Sequence, residues 1–156
     1  MPSGGSDYAP LWAAISKEYR SLQPELPELR SPGTNYLQVN AGGKAAHYEW
    51  KLLYAPRSHV EVALHFEAPS EEKNQTALEM VQAKNATIRG GTLMPFIAGR
   101  WGGKWTRVGF QVAFTGIPGQ DVAQQSAQLM KLLIERTYPL VRSLLQSSAK
   151  TGWPVA

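Results

Sequence analysis

The chain has 156 residues, 43% of them apolar and 18% charged, a length and balance that suit one globular domain with a self-sufficient core. It has no cysteine, which excludes disulfides, thiolate nucleophiles and cysteine-ligated zinc and suits a reducing, cytoplasmic setting. The net charge is only +4, but residues 1–80 carry seven bases and ten acids while residues 81–156 carry nine bases and two acids. No apolar run approaches the ~20 residues of a bilayer span. The opening Met1-Pro-Ser-Gly-Gly-Ser lacks the basic and apolar regions of a signal peptide, so neither membrane insertion nor secretion is expected.

The first predicted element is a helix. Ser6 and Asp7 are good N-caps, and Tyr8, Leu11, Trp12, Ile15, Tyr19 and Leu22 recur at the three- and four-residue spacing of one apolar helix face. Pro24 and Pro27 end it. A short strand is expected at Tyr36–Asn40, closed by Gly42-Gly43. Two clear strands follow. From His47 to Tyr54 and from Ser58 to Glu67 the even positions are apolar or aromatic, and the odd ones hold all three histidines and several glutamates. Alternation of period two predicts two half-buried strands, joined by a turn at Ala55-Pro56-Arg57. A common apolar face requires an even pairing sum. A sum of 112 sets His47 opposite His65, whereas 114 sets Glu49 opposite His65.

Ser70 predicts the N-cap of a second helix, with Glu71 and Glu72 in its first turn and Leu78, Val81 and Ile88 on its buried stripe, ending at Gly90-Gly91. The sequons Asn74-Gln75-Thr76 and Asn85-Ala86-Thr87 fall inside that helix and are read as chance. Thr92–Ala98 predicts an edge or bulged strand because of Pro95. Gly99–Gly103 predicts a turn, and Thr106–Phe114 another alternating strand. Asp121 is the expected cap of a long last helix with a kink or restart at Pro139. The expected order is α-β-β-β-α-β-β-α: an α+β class with an antiparallel five-stranded sheet and flanking helices, one domain over residues 1–156 with flexible ends at about 1–6 and 147–156.

Three surfaces stand out. On the polar face of the central hairpin, His47, Glu49, His59, Glu61, His65 and Glu67 bring together imidazole and carboxylate, the donors of zinc or another divalent metal. The bland reading of that face is a solvated ladder of cross-strand charge pairs. Glu49-Trp50-Lys51 puts a carboxylate and an ammonium on one side of a strand, and resembles the Asp/Glu-x-Lys half of the restriction-endonuclease-like nucleases. That family also needs a preceding acid, and there is no Asp between Tyr8 and His47. The third surface is basic. Lys84, Arg89, Arg100, Lys104 and Arg107 occur without an intervening acid, and Trp101 and Trp105 flank a glycine turn, a pattern that can contact phosphates and stack bases. There, core tryptophans and internally paired charges are the bland reading.

The stretch from Tyr36 to Leu145 resembles an uncharacterised bacterial domain family often appended to restriction-type nucleases. The resemblance lies in Tyr48-Glu49-Trp50, in Val60-Glu61-Val62-Ala63-Leu64-His65-Phe66-Glu67, in the Trp/Arg-rich hairpin and in Tyr138-Pro139-Leu140. It implies an accessory role beside DNA-acting enzymes. The element order is also similar to that of type III secretion chaperones, which implies a dimeric protein-holding module. No triad order, phosphate loop or dinucleotide fingerprint is present, and no organic cofactor is expected. The leading expectation is thus a non-enzymatic binding domain that meets nucleic acid or an acidic protein through its basic C-terminal half. The alternatives are a metal-dependent hydrolase on the His/Glu face and a homodimeric protein-holding module.

Overall fold

The computed structural model describes residues 9–22, 26–30, 32–33, 35–40 and 45–146. Expectations for Ser6, Asp7, Tyr8, Pro24, Gly42-Gly43 and the ends at 1–6 and 147–156 lie outside the described residues. Within them the order is α1 (Ala9–Leu22), β1 (Tyr36–Val39), β2 (Ala46–Leu53), β3 (His59–Phe66), α2 (Glu71–Gln82), α3 (Asn85–Arg89), β4 (Phe96–Trp101), β5 (Trp105–Ala113) and α4 (Gln120–Gln146). The strands form one five-stranded antiparallel sheet in the order β1-β2-β3-β5-β4. The α+β class and the order of elements are as the periodicity predicts. No helix of the described residues is long and apolar enough to cross a membrane.

Parity organises the sheet. The β2–β3 pairing places His47 opposite His65 and Lys51 opposite Glu61, the register with a sum of 112. Even residues Tyr48, Trp50, Val62, Leu64, Phe66, Val108 and Phe110 are buried on the helix side, in one core with Leu11, Ile15, Tyr19, Leu78, Met130 and Leu133. Three large polar-tipped aromatics of this core, Trp50, Tyr48 and Tyr19, have their polar tips satisfied. The Trp50 indole N–H donates to the Ser126 carbonyl at 2.9 Å. Tyr48 shares a 2.8 Å hydrogen bond with Thr137, whose hydroxyl donates in turn to the Leu133 carbonyl. Desolvation raises the Tyr48 hydroxyl pKa above its ordinary range, so it stays a neutral donor. The Tyr19 ring meets Trp50 edge-on at 5.4 Å, and its hydroxyl donates to the Pro27 carbonyl.

Four local differences from the sequence reading have physical reasons. The second helix breaks after Gln82, where the Lys84 N–H turns back to the Val81 carbonyl, and resumes as the short α3. β4 is indeed an edge strand, but it starts just after Pro95 and runs through Gly99 and Arg100, which narrows the turn to Gly102-Gly103-Lys104. Gly102 and Gly103 have φ of 58° and 89°, the left-handed geometry that lets three residues reverse the chain. α4 is one element through Pro139; the proline is exposed, so the carbonyl left without its amide partner can reach water. Asp121 lies within the first turn of α4 rather than at its cap.

A buried side chain ties α2 to the second hairpin. The Asn74 amide accepts from the Ala68 N–H at 2.7 Å and donates to the carbonyls of Ala68 and Lys104, both at 2.9 Å. The Thr106 hydroxyl donates to the Asn74 carbonyl at 3.0 Å. Asn74→Ala would leave the two buried backbone groups of Ala68 and the part-buried Lys104 carbonyl without this partner. We expect a loss of roughly 2–3 kcal/mol, read as a lower urea midpoint with an unchanged slope.

Candidate metal centre

The odd residues of β2, β3 and β5 form the other face of the sheet, and this face is not the solvated ladder that its composition suggests. His47, Glu49, His59, Glu61 and His65 are all buried, Glu61 and His65 with none of their surface exposed. Part of the cover comes from β4. The Trp101 ring stands edge-on to His65, with centroids 5.1 Å apart. Lys51 places its ammonium 4.3 Å from the centre of the Trp101 ring rather than on a carboxylate. Between these groups the sheet is thin: Gly109 lies opposite Ala63, and a Cβ at Gly109 would stand 2.0 Å from the Val62 carbonyl oxygen. Only glycine lets β5 approach β3 here.

At one end of this face, His47 and His65 stack with ring centroids 5.2 Å apart and planes 11° from parallel. Glu49 reaches both: one oxygen is 3.6 Å from His47 Nε2 and the other 3.4 Å from His65 Nε2. Donor atoms from His47, Glu49 and His65 all lie within 4.8 Å of one another. Glu67, at the solvent edge, sets one oxygen 3.6 Å from His47 Nε2 and 3.5 Å from His65 Nδ1.

These separations are informative. They are longer than the 2.7–3.2 Å of a hydrogen bond, and His47 Nε2 and both His65 ring nitrogens have no hydrogen-bond partner. The 3.6 Å and 3.4 Å separations, made by the two oxygens of Glu49, are close to the edge of a tetrahedron of N and O donors around a divalent ion, about 3.3 Å for ligand distances near 2.0–2.1 Å. Glu49 is held ready as an anion. Burial alone would raise its pKa, but the two imidazoles and the 3.0 Å hydrogen bond donated by the Gln38 amide outweigh it and lower the value to about 2.

Glu61 has a different role. Burial raises its pKa against the attraction of Arg107, whose Nε is 3.2 Å from Oε1. His65 Nε2 is 3.8 Å from that same oxygen. Arg107 lies directly opposite His65 in the β3–β5 register. Arg107, Trp101 and Gln38 are thus parts of the His/Glu site that the sequence reading left out of it. The parity of the Thr106–Phe114 run was the available signal for Arg107, since its odd positions share the polar face. His59 stands apart, six residues along β3 from His65, or roughly 20 Å. Its Nδ1–H donates to the Arg57 carbonyl at 2.8 Å.

The basic stretch is dispersed. Arg107 pairs with Glu61, and Arg100 pairs with Glu71 on α2. Trp101 and Trp105 lie with ring centroids 5.5 Å apart. Arg89 sits over the Phe96 ring at 5.5 Å, while Lys84 and Lys104 are exposed. No family model, curated protein or solved structure matches the chain, so function is read from this geometry.

Removing Arg107 would leave a fully desolvated carboxylate without its cation. Arg107→Met is expected to cost about 3–5 kcal/mol, and the double variant with Glu61→Gln to recover most of it, measured by chemical denaturation.

Proposed function

We propose that this chain is a non-enzymatic, divalent-metal-binding domain whose ion is held by His47, Glu49 and His65 on the outer face of the sheet. One observation carries the reading: three buried donors from two adjacent strands lie within 4.8 Å of one another, and His47 Nε2 and both His65 ring nitrogens have no hydrogen-bond partner. The balance of charge supports it. Among the described residues this part of the face holds Glu49, Glu61 and Glu67 against Arg107 and Lys51, and a divalent cation offsets the remaining negative charge where desolvation makes it costly.

Two imidazoles with carboxylate favour zinc and its neighbours over magnesium or calcium. Glu67 is the nearest further oxygen donor to both rings, and its carboxylate beside His65 Nδ1 suits the orienting role of a second-layer acid. The ligands are buried and Trp101 lies against one of them, which shields the ion from solvent and leaves its fourth tetrahedral position to a water or to Glu67. The ion would join β2 to β3 where they meet side by side, so its binding energy adds to the stability of the sheet.

Chelator-treated protein titrated with zinc in a calorimeter should take up one ion per chain. At a free zinc concentration 100 times Kd the stabilisation is about 2.7 kcal/mol, a rise in Tm of roughly 5–10 °C for a domain of this size. Glu49→Gln should remove at least nine-tenths of the affinity. Absence of any heat of binding, together with an unmoved Tm, would sink the proposal.

A further inference from the structure

A separate feature lies on the helix side of the sheet, along α1. Trp12, Ala13, Lys17 and Arg20 share one face of that helix, at the spacing of successive turns. Opposite them run Leu29 and Arg30, and together these residues line a groove of ≈ 890 Å³. Its outer wall is built rather than loose. Leu29 bridges to Val39, the Arg30 N–H donates to the Gln38 carbonyl at 2.9 Å, and the Gly33 N–H donates to the Tyr36 carbonyl at 2.9 Å. The Tyr36 ring packs where a Gly33 side chain would be, with a Cβ there 2.3 Å from the ring.

The lining carries three cations and, among the described residues, no acid. Glu18, next to Lys17 in sequence, faces elsewhere and accepts from the Gln120 amide at 2.6 Å, while Glu28, next to Leu29, is exposed and outside the lining. Arg30 has one 3.4 Å contact to Gln38. The side chains of Lys17 and Arg20 make no ion pair with any described residue. Beneath them the Trp12 side chain is 2% exposed, and its indole N–H has no hydrogen-bond partner. Like charges gathered over an apolar floor, with none of the acids that usually interleave them, are complementary to an anion with an apolar body.

We propose that this groove binds a small organic phosphate. The guanidinium forks of Arg20 and Arg30 match phosphate oxygens, and Lys17 adds a third positive charge to balance a dianionic head. The body of the ligand rests on Ala13 and Leu29. The volume is that of a small-molecule site. The concave shape, with bases on two facing walls, favours a compact ligand over a long polyanion. No groove residue is a proposed metal ligand, although Arg30 and Glu49 both contact Gln38.

The test uses 1-naphthyl phosphate as probe, in calorimetry at low ionic strength, beside inorganic phosphate, 1-naphthol and a single-stranded DNA oligomer. The naphthyl phosphate is expected to bind one per chain, at least tenfold more tightly than either of its halves. Arg20→Ala combined with Arg30→Ala should weaken it at least tenfold with Tm unchanged, since both side chains are exposed. His47→Gln, in the metal centre, should leave it as tight as before. The proposal is overturned by no saturable binding of the naphthyl phosphate, by equal binding to the double variant, or by an oligomer that binds where the small phosphate does not.

Discussion

A fully desolvated carboxylate stands in the middle of the sheet's outer face, and the arrangement of that face follows from what Glu61 requires. An ionised group without water must find opposite charge nearby or take up a proton. Arg107 and His65 stand beside Glu61 for this reason, on β5 and on β3 itself. The same demand recurs one step along the sheet, where Glu49 lies between two stacked imidazoles, neither of which hydrogen-bonds to it. Glu61 is answered from within the chain by Arg107. At Glu49, an ion is the simplest answer.

The fold makes this concentration of polar groups stable by placing it on the far side of a well-satisfied core. Even residues of the central strands meet α1, α2 and α4, and their polar tips end on α4 through Trp50 to Ser126 and Tyr48 to Thr137. The helix layer thereby fixes the register of β2 against β3, and that register brings His47 opposite His65. A slip of one residue would exchange the two faces and bury the histidines in the core. Asn74 holds the β4–β5 turn from α2, and that turn carries Trp101 over His65. Each face therefore depends on the other for its geometry.

Much of this architecture was legible in the sequence, because it is local. Period-two alternation located β2, β3 and β5 and assigned each side chain to a face, and the even pairing sum left two registers, one of which is found. The six His and Glu residues were legible as candidate ligands, and all six do share the polar face. What could not be read was that this face is buried. A run of histidines and glutamates on a strand is ordinarily solvated, and the groups that enclose these ones arrive from β4 and β5, more than thirty residues away. The separation of His59 from the cluster is likewise a matter of position along β3, which ligand chemistry alone does not express. The basic run was legible as composition, but its Arg107 and Arg100 find acids, Glu61 and Glu71, that only the folded arrangement brings within reach. The groove along α1 was missed because its cations come from two segments whose charges are unremarkable one at a time.

The central claim is that His47, Glu49 and His65 form one coordination sphere. X-ray absorption at the zinc edge of the loaded protein tests it most directly, since it reads donor type and distance at the ion itself. The account predicts four N and O donors near 2.0–2.1 Å, with the outer scattering pattern of two imidazole rings that becomes a one-ring pattern in His47→Gln. A six-coordinate oxygen shell without imidazole scattering, unchanged by that substitution, would contradict it.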